Sequence, residues 1–334
     1  MFNSVISYFA APTIFSAAAV AAAYAFGGIK AALTVLFLIL LETSLSFDNA
    51  VVNAGILKNW SKVWRRRFLT WGMLVAVFGM RLALPLLIVG VIGEMNPIRT
   101  IEMALYAPTE YSRILESAHH QVAAFGATFL MMVFFNFFVT THKTEHWLQA
   151  IEKPLTRLGK MEAIEAAMTL VALILASRLL EVAERAEFIE AGIWGIVIFI
   201  LSKGLAALLG GDQGAENRII RQGASGFLYI EMLDSSFSFD GVISSFALTN
   251  NLFLIMLGLG AGALFVRSFT LLLVDNRTLI RYRYLEHGAF WAIGALAVLM
   301  MFGAGFDVPE AVTGSLGAIL IAASLGSSII ANRK

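Results

Sequence analysis

Long apolar runs dominate the chain and are separated by short polar segments. Uncharged stretches cover residues 1–29, 68–80, 82–93, 121–141, 242–266, 288–306 and 311–332. About 20 apolar residues are enough for a helix to cross a bilayer. A membrane β-barrel would instead show strands of roughly ten residues with alternating polarity. The pattern therefore predicts an all-α fold, a polytopic bundle of transmembrane helices.

When a few polar residues are allowed inside the bilayer, the apolar pattern predicts ten transmembrane helices. Their predicted bounds are residues 11–27, 31–57, 69–92, 121–140, 162–180, 190–210, 224–248, 252–274, 287–306 and 309–330. Segment 142–161, between the fourth and fifth helices, has apolar residues at near-helical spacing among charged ones, which is typical of an amphipathic interfacial helix. These residues are Trp147, Leu148, Ile151, Leu155 and Leu158.

Composition and charge narrow the class of protein further. Hydrophobic residues make up 59% of the 334 residues and charged residues 14%, which excludes a soluble enzyme. The net charge of +1 provides no bulk attraction to nucleic acid, so we expect lipid and not nucleic acid around the chain. The absence of cysteine excludes disulfides, thiolate metal ligands and thiol nucleophiles.

The distribution of basic residues orients the predicted bundle. Lys and Arg concentrate in alternate connecting segments, such as 58–67, 143–160 and 277–283, whereas the opposite segments carry few. Cytoplasmic loops carry this excess of positive charge. Residues 1–15 also lack the basic start of a signal peptide, so we expect the first helix to be retained. The chain is predicted to be a multi-pass protein of the bacterial inner (plasma) membrane with both termini in the cytoplasm.

The two halves of the sequence repeat each other. Residues 41–49 (LETSLSFDN) resemble residues 233–241 (LDSSFSFDG). Arg81 and Arg267 each follow a glycine by nine residues, and His119 and His287 each precede a Gly-Ala pair by seven. Because five helices per half is an odd number, the second half must enter the bilayer inverted. The sequence predicts two inverted repeats, residues 1–180 and 181–334, which is typical of secondary transporters.

Acidic residues inside predicted membrane helices are the most informative feature, because each costs at least a few kcal/mol at the bilayer centre. Hydroxyl and amide side chains accompany them, and together these oxygen donors suit a hard divalent cation such as Mn²⁺, Mg²⁺ or Ca²⁺. Arg81 and Arg267 are predicted to balance part of the negative charge. The predicted metal ligands are Glu42, Ser46, Asp48, Asn49, Glu231, Asp234, Ser238 and Asp240.

Helical geometry leaves two arrangements open for these ligands. Glu42, Ser46 and Asn49 lie on one stripe of a helix, but Asp48 lies about 120° around the axis from it. Asp48 and its counterpart Asp240 either face a second neighbouring helix, or the helices unwind locally so that the carboxylates converge. A single intramembrane aspartate can also simply hydrogen-bond to a neighbouring helix. The duplicated pattern favours an ion site.

The two acidic motifs resemble the signatures of the TerC family of integral membrane proteins, named for tellurium resistance. The first motif is Glu42-x-x-Leu45-Ser46-x-Asp48-Asn49, and the second runs from Glu231 through Asp234, Phe237 and Ser238 to Asp240. The chain is longer than usual TerC members and resembles a divergent branch, related to the lysine-exporter superfamily. The resemblance implies efflux of manganese, with calcium as the alternative, through a site formed by Glu42, Asp48, Asn49, Asp234 and Asp240.

These observations predict a secondary transporter, not an enzyme, that exports a divalent cation by proton antiport. The sequence has no nucleotide-binding P-loop, so the energy must come from an ion gradient. The cation is the substrate, protons compete for the same oxygens, and no tightly bound cofactor is expected. Two alternatives are a non-transporting membrane factor in metal or tellurite stress or membrane-protein assembly, and an intramembrane aspartyl protease, although the G-x-G-D sequence of such proteases is absent.

Overall fold

The described part of the chain is helical. The computed structural model describes residues 2–58, 60–72, 74–139, 145–209, 223–246, 248–276, 278–306 and 310–333, and no strand occurs in these ranges. The α-helices are α1 (Phe2–Leu45), α2 (Phe47–Leu57), α3 (Lys62–Arg67), α4 (Leu84–Ile92), α5 (Pro97–Tyr106), α6 (Pro108–Ser117), α7 (His119–Val139), α8 (Gln149–Leu158), α9 (Ile164–Ser177), α10 (Arg185–Leu209), α11 (Ala224–Phe246), α12 (Leu252–Asp275), α13 (Thr278–Arg281), α14 (Leu285–Gly303) and α15 (Glu310–Asn332). Two π-helical segments, Phe68–Gly72 and Val75–Ala83, lie between α3 and α4. The predicted all-α class is confirmed.

Six helical stretches of the described chain are long and apolar enough to cross a membrane, as expected for a multi-pass membrane protein. They are Tyr8–Ser44, Lys62–Ile92, His119–Val139, Leu252–Asp275, Leu285–Gly303 and Ser315–Asn332. The first of them contains the predicted first helix and most of the second. α9 is apolar but shorter. The predicted count of ten spans stays a prediction.

Two breaks shape the N-terminal helices. Gly28 has φ 67° and ψ −160°, a conformation that only glycine adopts without strain, and it bends α1 between the predicted first and second helices. The second break is a one-residue turn at Ser46, inside the first acidic motif. Helical hydrogen bonding continues across this turn, because the Ser46 N–H donates to the Glu42 carbonyl at 3.0 Å. The predicted second helix is therefore interrupted at its motif by a single residue.

The chain divides into two compact units that interleave along the sequence. The first contains Met1–Ala50, Ser61–His119 and Phe237–Leu272, and the second contains Val51–Trp60, His120–Ser236 and Leu273–Lys334. Each unit combines segments from both halves of the sequence. The division into repeats 1–180 and 181–334 stays a prediction about ancestry and topology.

Small residues allow the helices of each unit to pack closely. In the first unit, a methyl group on Gly258 of α12 would collide with Leu38 of α1. Ala31 of α1 and Ala261 of α12 belong to one buried cluster of small and apolar side chains. In the second unit, Gly294 of α14 leaves room for the ring of Phe134 on α7. Helices in lipid associate through such close packing because apolar burial provides no driving force there.

The reversal between α4 and α5 is a Schellman turn with an unfavourable residue. The Met95 N–H donates to the Gly90 carbonyl at 2.8 Å, and the Glu94 N–H donates to the Val91 carbonyl at 3.2 Å. These two bonds define the motif. The first residue after the helix cap, here position 94, adopts a left-handed backbone conformation and is therefore usually glycine. Glu94 occupies that position with φ 51°.

Glu94→Gly should therefore raise the free energy of unfolding by about 1 kcal/mol, because a left-handed L-residue costs roughly that much. Thermal unfolding in detergent, followed by tryptophan fluorescence, measures the change. Glu102→Gly is the matched control, since Glu102 is exposed inside α5 and glycine there should destabilise by about 1 kcal/mol. A loss of stability in Glu94→Gly would contradict the assignment.

Candidate functional site

Glu42 lies at the centre of a buried polar contact in the first unit. It is near the end of α1 and is 4% exposed. Its carboxylate accepts a hydrogen bond from the guanidinium of Arg81, which is also buried. The hydroxyl of Ser46, one helical turn later, donates to the same carboxylate at 3.1 Å. Two members of the predicted stripe thus contact each other, and Arg81 neutralises the first carboxylate.

The backbones of two other helices approach Glu42 at glycines. A Cβ atom added to Gly262 of α12 would lie 2.5 Å from the Glu42 Cβ. A Cβ atom added to Gly241 of α11 would lie 3.3 Å from the Glu42 Oε2. Gly241 directly follows Asp240 in the second acidic motif. The first unit therefore brings the glutamate of the first motif against the end of the second motif.

Asp48 and Asn49 begin α2 and are both buried. The Asn49 N–H donates to the Asp48 Oδ1 at 2.8 Å, and a carboxylate in the first helical turn is favoured by the helix dipole. Asn53, one turn further along α2, is buried, and its Oδ1 has no hydrogen-bond partner within the described residues. A buried amide oxygen of this kind is one that a water molecule or a cation would satisfy.

The remaining predicted ligands lie on α11. Ser238 is buried and belongs to the first unit. Glu231 and Asp234 are buried and belong to the second unit. The side chain of Asp240 lies outside the described part of the structure. Among the side chains that are described, no group of three or more His, Asp or Glu residues is arranged to hold a metal ion.

Arg267 has a different environment from Arg81, although the two occupy matching positions in the sequence repeat. Its guanidinium donates to the carbonyls of Phe68 and Gly72 at 2.8 and 2.6 Å. It also stacks over the Phe68 ring at 4.1 Å. Both carbonyls belong to the π-helical segment, where the altered hydrogen-bond register leaves carbonyls free to accept from side chains. Arg267 stabilises an irregular turn in addition to its other contacts.

One strongly bound carboxylate, Glu152 of α8, was not among the predicted site residues. It is fully buried at 0% exposure and accepts from His287 Nδ1 and Trp291 Nε1 of α14, both at 3.0 Å. The backbone N–H groups of Trp147 and Leu148 donate to it at 3.0 and 3.2 Å. Burial alone would raise the pKa of Glu152, but these hydrogen bonds, led by that of His287, lower it to about 2.

The available sequence signal for Glu152 was its place in the first turn of a predicted amphipathic helix, where a glutamate often bonds back to the N-terminal backbone. The structure has this helix at Gln149–Leu158, inside the predicted interfacial segment 142–161, of which residues 142–144 lie outside the described chain. The partners on α14 could not be read from the pattern.

Lys203, in the second unit, has polar partners on two neighbouring helices. Lys203 of α10 donates to Asn136 Oδ1 of α7 at 2.6 Å and lies 4.0 Å from Glu165 of α9. A polar side chain in an apolar helix requires such partners. Lys203 therefore links three helices of the second unit. These contacts account for a lysine inside an apolar helix without a role in binding or transport.

Comparison with known proteins gives one family. A family model described as "Protein of unknown function (DUF475)" matches residues 47–334. No curated protein and no solved structure matches the chain. The matched region runs from α2 through α15 and includes Asp48, Asn49 and the whole second acidic motif. The resemblance to TerC proteins stays a prediction.

Proposed function

The chain belongs to the DUF475 family of proteins of unknown function, and we propose that it is a secondary transporter that exports a divalent metal cation from the cytoplasm. The approach of Gly241 to the carboxylate of Glu42 carries the proposal. Two acidic motifs that are distant in sequence approach each other among buried residues of apolar helices. Placing carboxylates in such surroundings costs free energy, and residues of this kind usually form an ion or substrate site.

The proposed architecture has ten membrane-spanning helices in a five-plus-five inverted repeat, residues 1–180 and 181–334. The composition of the first unit supports it, since this unit joins parts of α1 and α2 to parts of α11 and α12. Of these helices, α1, α2 and α11 carry the two acidic motifs, and α12 carries Arg267. In inverted-repeat transporters the substrate site forms where the two repeats meet.

The proposed substrate is Mn²⁺, with Ca²⁺ as the alternative. Carboxylate, hydroxyl and amide oxygens suit hard cations, and the two motifs contain all three kinds of side chain. The resemblance to TerC proteins favours manganese. Protons compete with a metal for the same carboxylates, and this competition supports proton antiport as the coupling. The proposed ligands are those predicted from the motifs, with Asp48 and Asp240 as the central carboxylates.

Flux through proteoliposomes tests this function. We expect wild-type protein to move Mn²⁺ across an imposed pH gradient faster than Mg²⁺, and both Asp48→Asn and Asp240→Asn to reduce the Mn²⁺ flux at least about tenfold, because each removes a charged ligand. Asp275→Asn is the matched control, because it makes the same chemical change at an exposed residue at the end of α12. Its flux should equal that of wild type.

Folding is checked in each variant by gel filtration and thermal unfolding. Full Mn²⁺ flux in folded Asp48→Asn and Asp240→Asn protein would contradict the proposed site. No flux of Mn²⁺, Mg²⁺ or Ca²⁺ through wild-type protein would contradict the transport function itself.

One observation favours a second candidate function, a non-transporting membrane factor in stress response or membrane-protein assembly. Glu42 is already bound to Arg81 and Ser46, as a purely structural carboxylate would be. In that case the charge-neutral variants would change stability without changing ion flux. The same proteoliposome series therefore separates the two functions.

A further inference from the structure

Helix α5 carries an exposed apolar stripe. Ile98, Ile101 and Leu105 are 72%, 47% and 65% exposed. At 100° per residue these three side chains fall within an arc of about 60°. Thr100 and Ala104, on the other side of the helix, are buried. The outward side of the helix therefore carries an apolar stripe.

The orientation of α5 is fixed by its contacts with the preceding helix. A Cβ atom added to Gly90 of α4 would lie 3.1 Å from Thr100 Oγ1, so the buried face of α5 packs against α4. The Schellman turn sets the reversal, and Asn96 caps the new helix by accepting from the Arg99 N–H at 2.9 Å. The stripe consequently points away from α4.

The position of α5 along the chain determines what surrounds this stripe. α4 ends the candidate span Lys62–Ile92, and the next candidate span begins at His119. Two consecutive spans must be joined on one side of the bilayer, so α5 lies at a membrane surface. Leu87 and Val91 of α4 are also exposed apolar residues, and in a spanning helix such side chains face lipid. The exposed apolar surface of the span thus continues into α5.

The residues beside the stripe fit the same surroundings. Arg99 and Glu102 are exposed and, at 100° per residue, flank Ile98 on the side away from Ile101. Tyr106 ends the helix and is highly exposed. Tyrosine is enriched at the level of the lipid headgroups. An apolar stripe with a charged flank is the pattern of a helix that lies in the membrane interface.

We propose that α5 is an interfacial anchor that inserts Ile98, Ile101 and Leu105 into the acyl boundary of the bilayer and keeps Arg99 in the aqueous headgroup region. The occupant of this surface is lipid, not a protein. The anchor proposal requires that the protein is inserted in a membrane, but it does not depend on metal transport. Failure of the transport proposal would therefore leave the anchor proposal standing, and the reverse also holds.

The lack of cysteine in the sequence permits a direct test. Ile98→Cys, Ile101→Cys, Leu105→Cys and Arg99→Cys each introduce one thiol that can carry a nitroxide spin label. Each labelled full-length protein is placed in phosphatidylcholine nanodiscs, and collision of the label with oxygen and with a water-soluble nickel chelate is measured. Arg99→Cys is the matched control, since it lies on the same exposed helix outside the stripe.

The expected result is an oxygen-to-nickel collision ratio several-fold higher at the three stripe positions than at Arg99. A nickel collision rate at the stripe equal to that at Arg99 would place the stripe in water and overturn the proposal. Low collision with both reagents at the stripe would indicate protein contact, such as a second copy, and would also overturn it. Three independent stripe positions keep the test decisive if one variant folds poorly.

Discussion

Glu152→Gln should lower the free energy of unfolding by about 3 kcal/mol at pH 7, because the pKa of this carboxyl falls from 4.5 to about 2 in the fold and each unit is worth about 1.4 kcal/mol. The carboxylate accepts four N–H groups, two from the start of its own helix and two from α14, where His287 lies 135 residues along the chain. Its neutral amide analogue cannot accept all four. The variant should lose the attachment of α8 to α14 first.

The pH dependence of stability has a defined sign. Because the folded-state pKa lies below the unfolded value, the contribution of Glu152 is fully present above about pH 5 and is lost as the pH falls towards 2. The difference in stability between wild type and Glu152→Gln should therefore shrink across this window. Thermal unfolding in detergent at pH 7 and pH 3, followed by the fluorescence of the six tryptophans, measures it.

Glu162→Gln is the control for this experiment, since Glu162 lies just beyond α8 and is exposed. It should leave the unfolding temperature unchanged at both pH values. Equal stability of the two variants at pH 7 would show that the buried hydrogen bonds of Glu152 contribute nothing net to the fold.

Arg81→Met should destabilise the protein by about 3–5 kcal/mol, because it leaves Glu42 as a buried charge without its cation. The double variant Glu42→Gln/Arg81→Met removes both charges and should recover most of that loss, since replacing a whole buried pair is often nearly neutral. Thermal unfolding of the two single variants and the double variant gives the coupling energy of the pair.

The same double variant separates two roles for Glu42. If this carboxylate is a metal ligand, the folded double variant should lose Mn²⁺ flux. If Glu42 serves only as the partner of Arg81, the double variant should keep both its Mn²⁺ flux and its stability. Additive effects of the two single substitutions, with no recovery in the double variant, would contradict the ion pair.

Much of the fold follows from the apolar pattern, because lipid forces every backbone polar group into helical hydrogen bonds. The helical class, the six long apolar helical stretches of the described chain and the bend near residue 28 were all accessible in this way. The burial of the described carboxylates Glu42, Asp48, Glu231 and Asp234 was accessible too, since they lie inside apolar runs. These features depend on local composition and need no knowledge of tertiary contacts.

The partners of the polar side chains were less accessible. Arg81 and Arg267 sit in matching sequence contexts, yet one binds a carboxylate and the other binds carbonyls of a π-helical turn. A hydrophobic period cannot reveal where the helical register changes from α to π. Glu152 was overlooked for a similar reason, because a charged residue on an amphipathic helix is usually solvated. Two of its four donors, His287 and Trp291, come from α14 and depend on tertiary structure.

The interleaving of the two compact units has a consequence for biosynthesis. Translation delivers the N-terminal segments to the membrane first, so Glu42 must reside in lipid well before the ribosome has made Gly241 and Gly262. Arg81 is made soon after Glu42, and its guanidinium can neutralise the carboxylate before Gly241 and Gly262 are made. The two glycines that contact Glu42 are made last, so during most of synthesis Arg81 is the available counter-ion for this carboxylate.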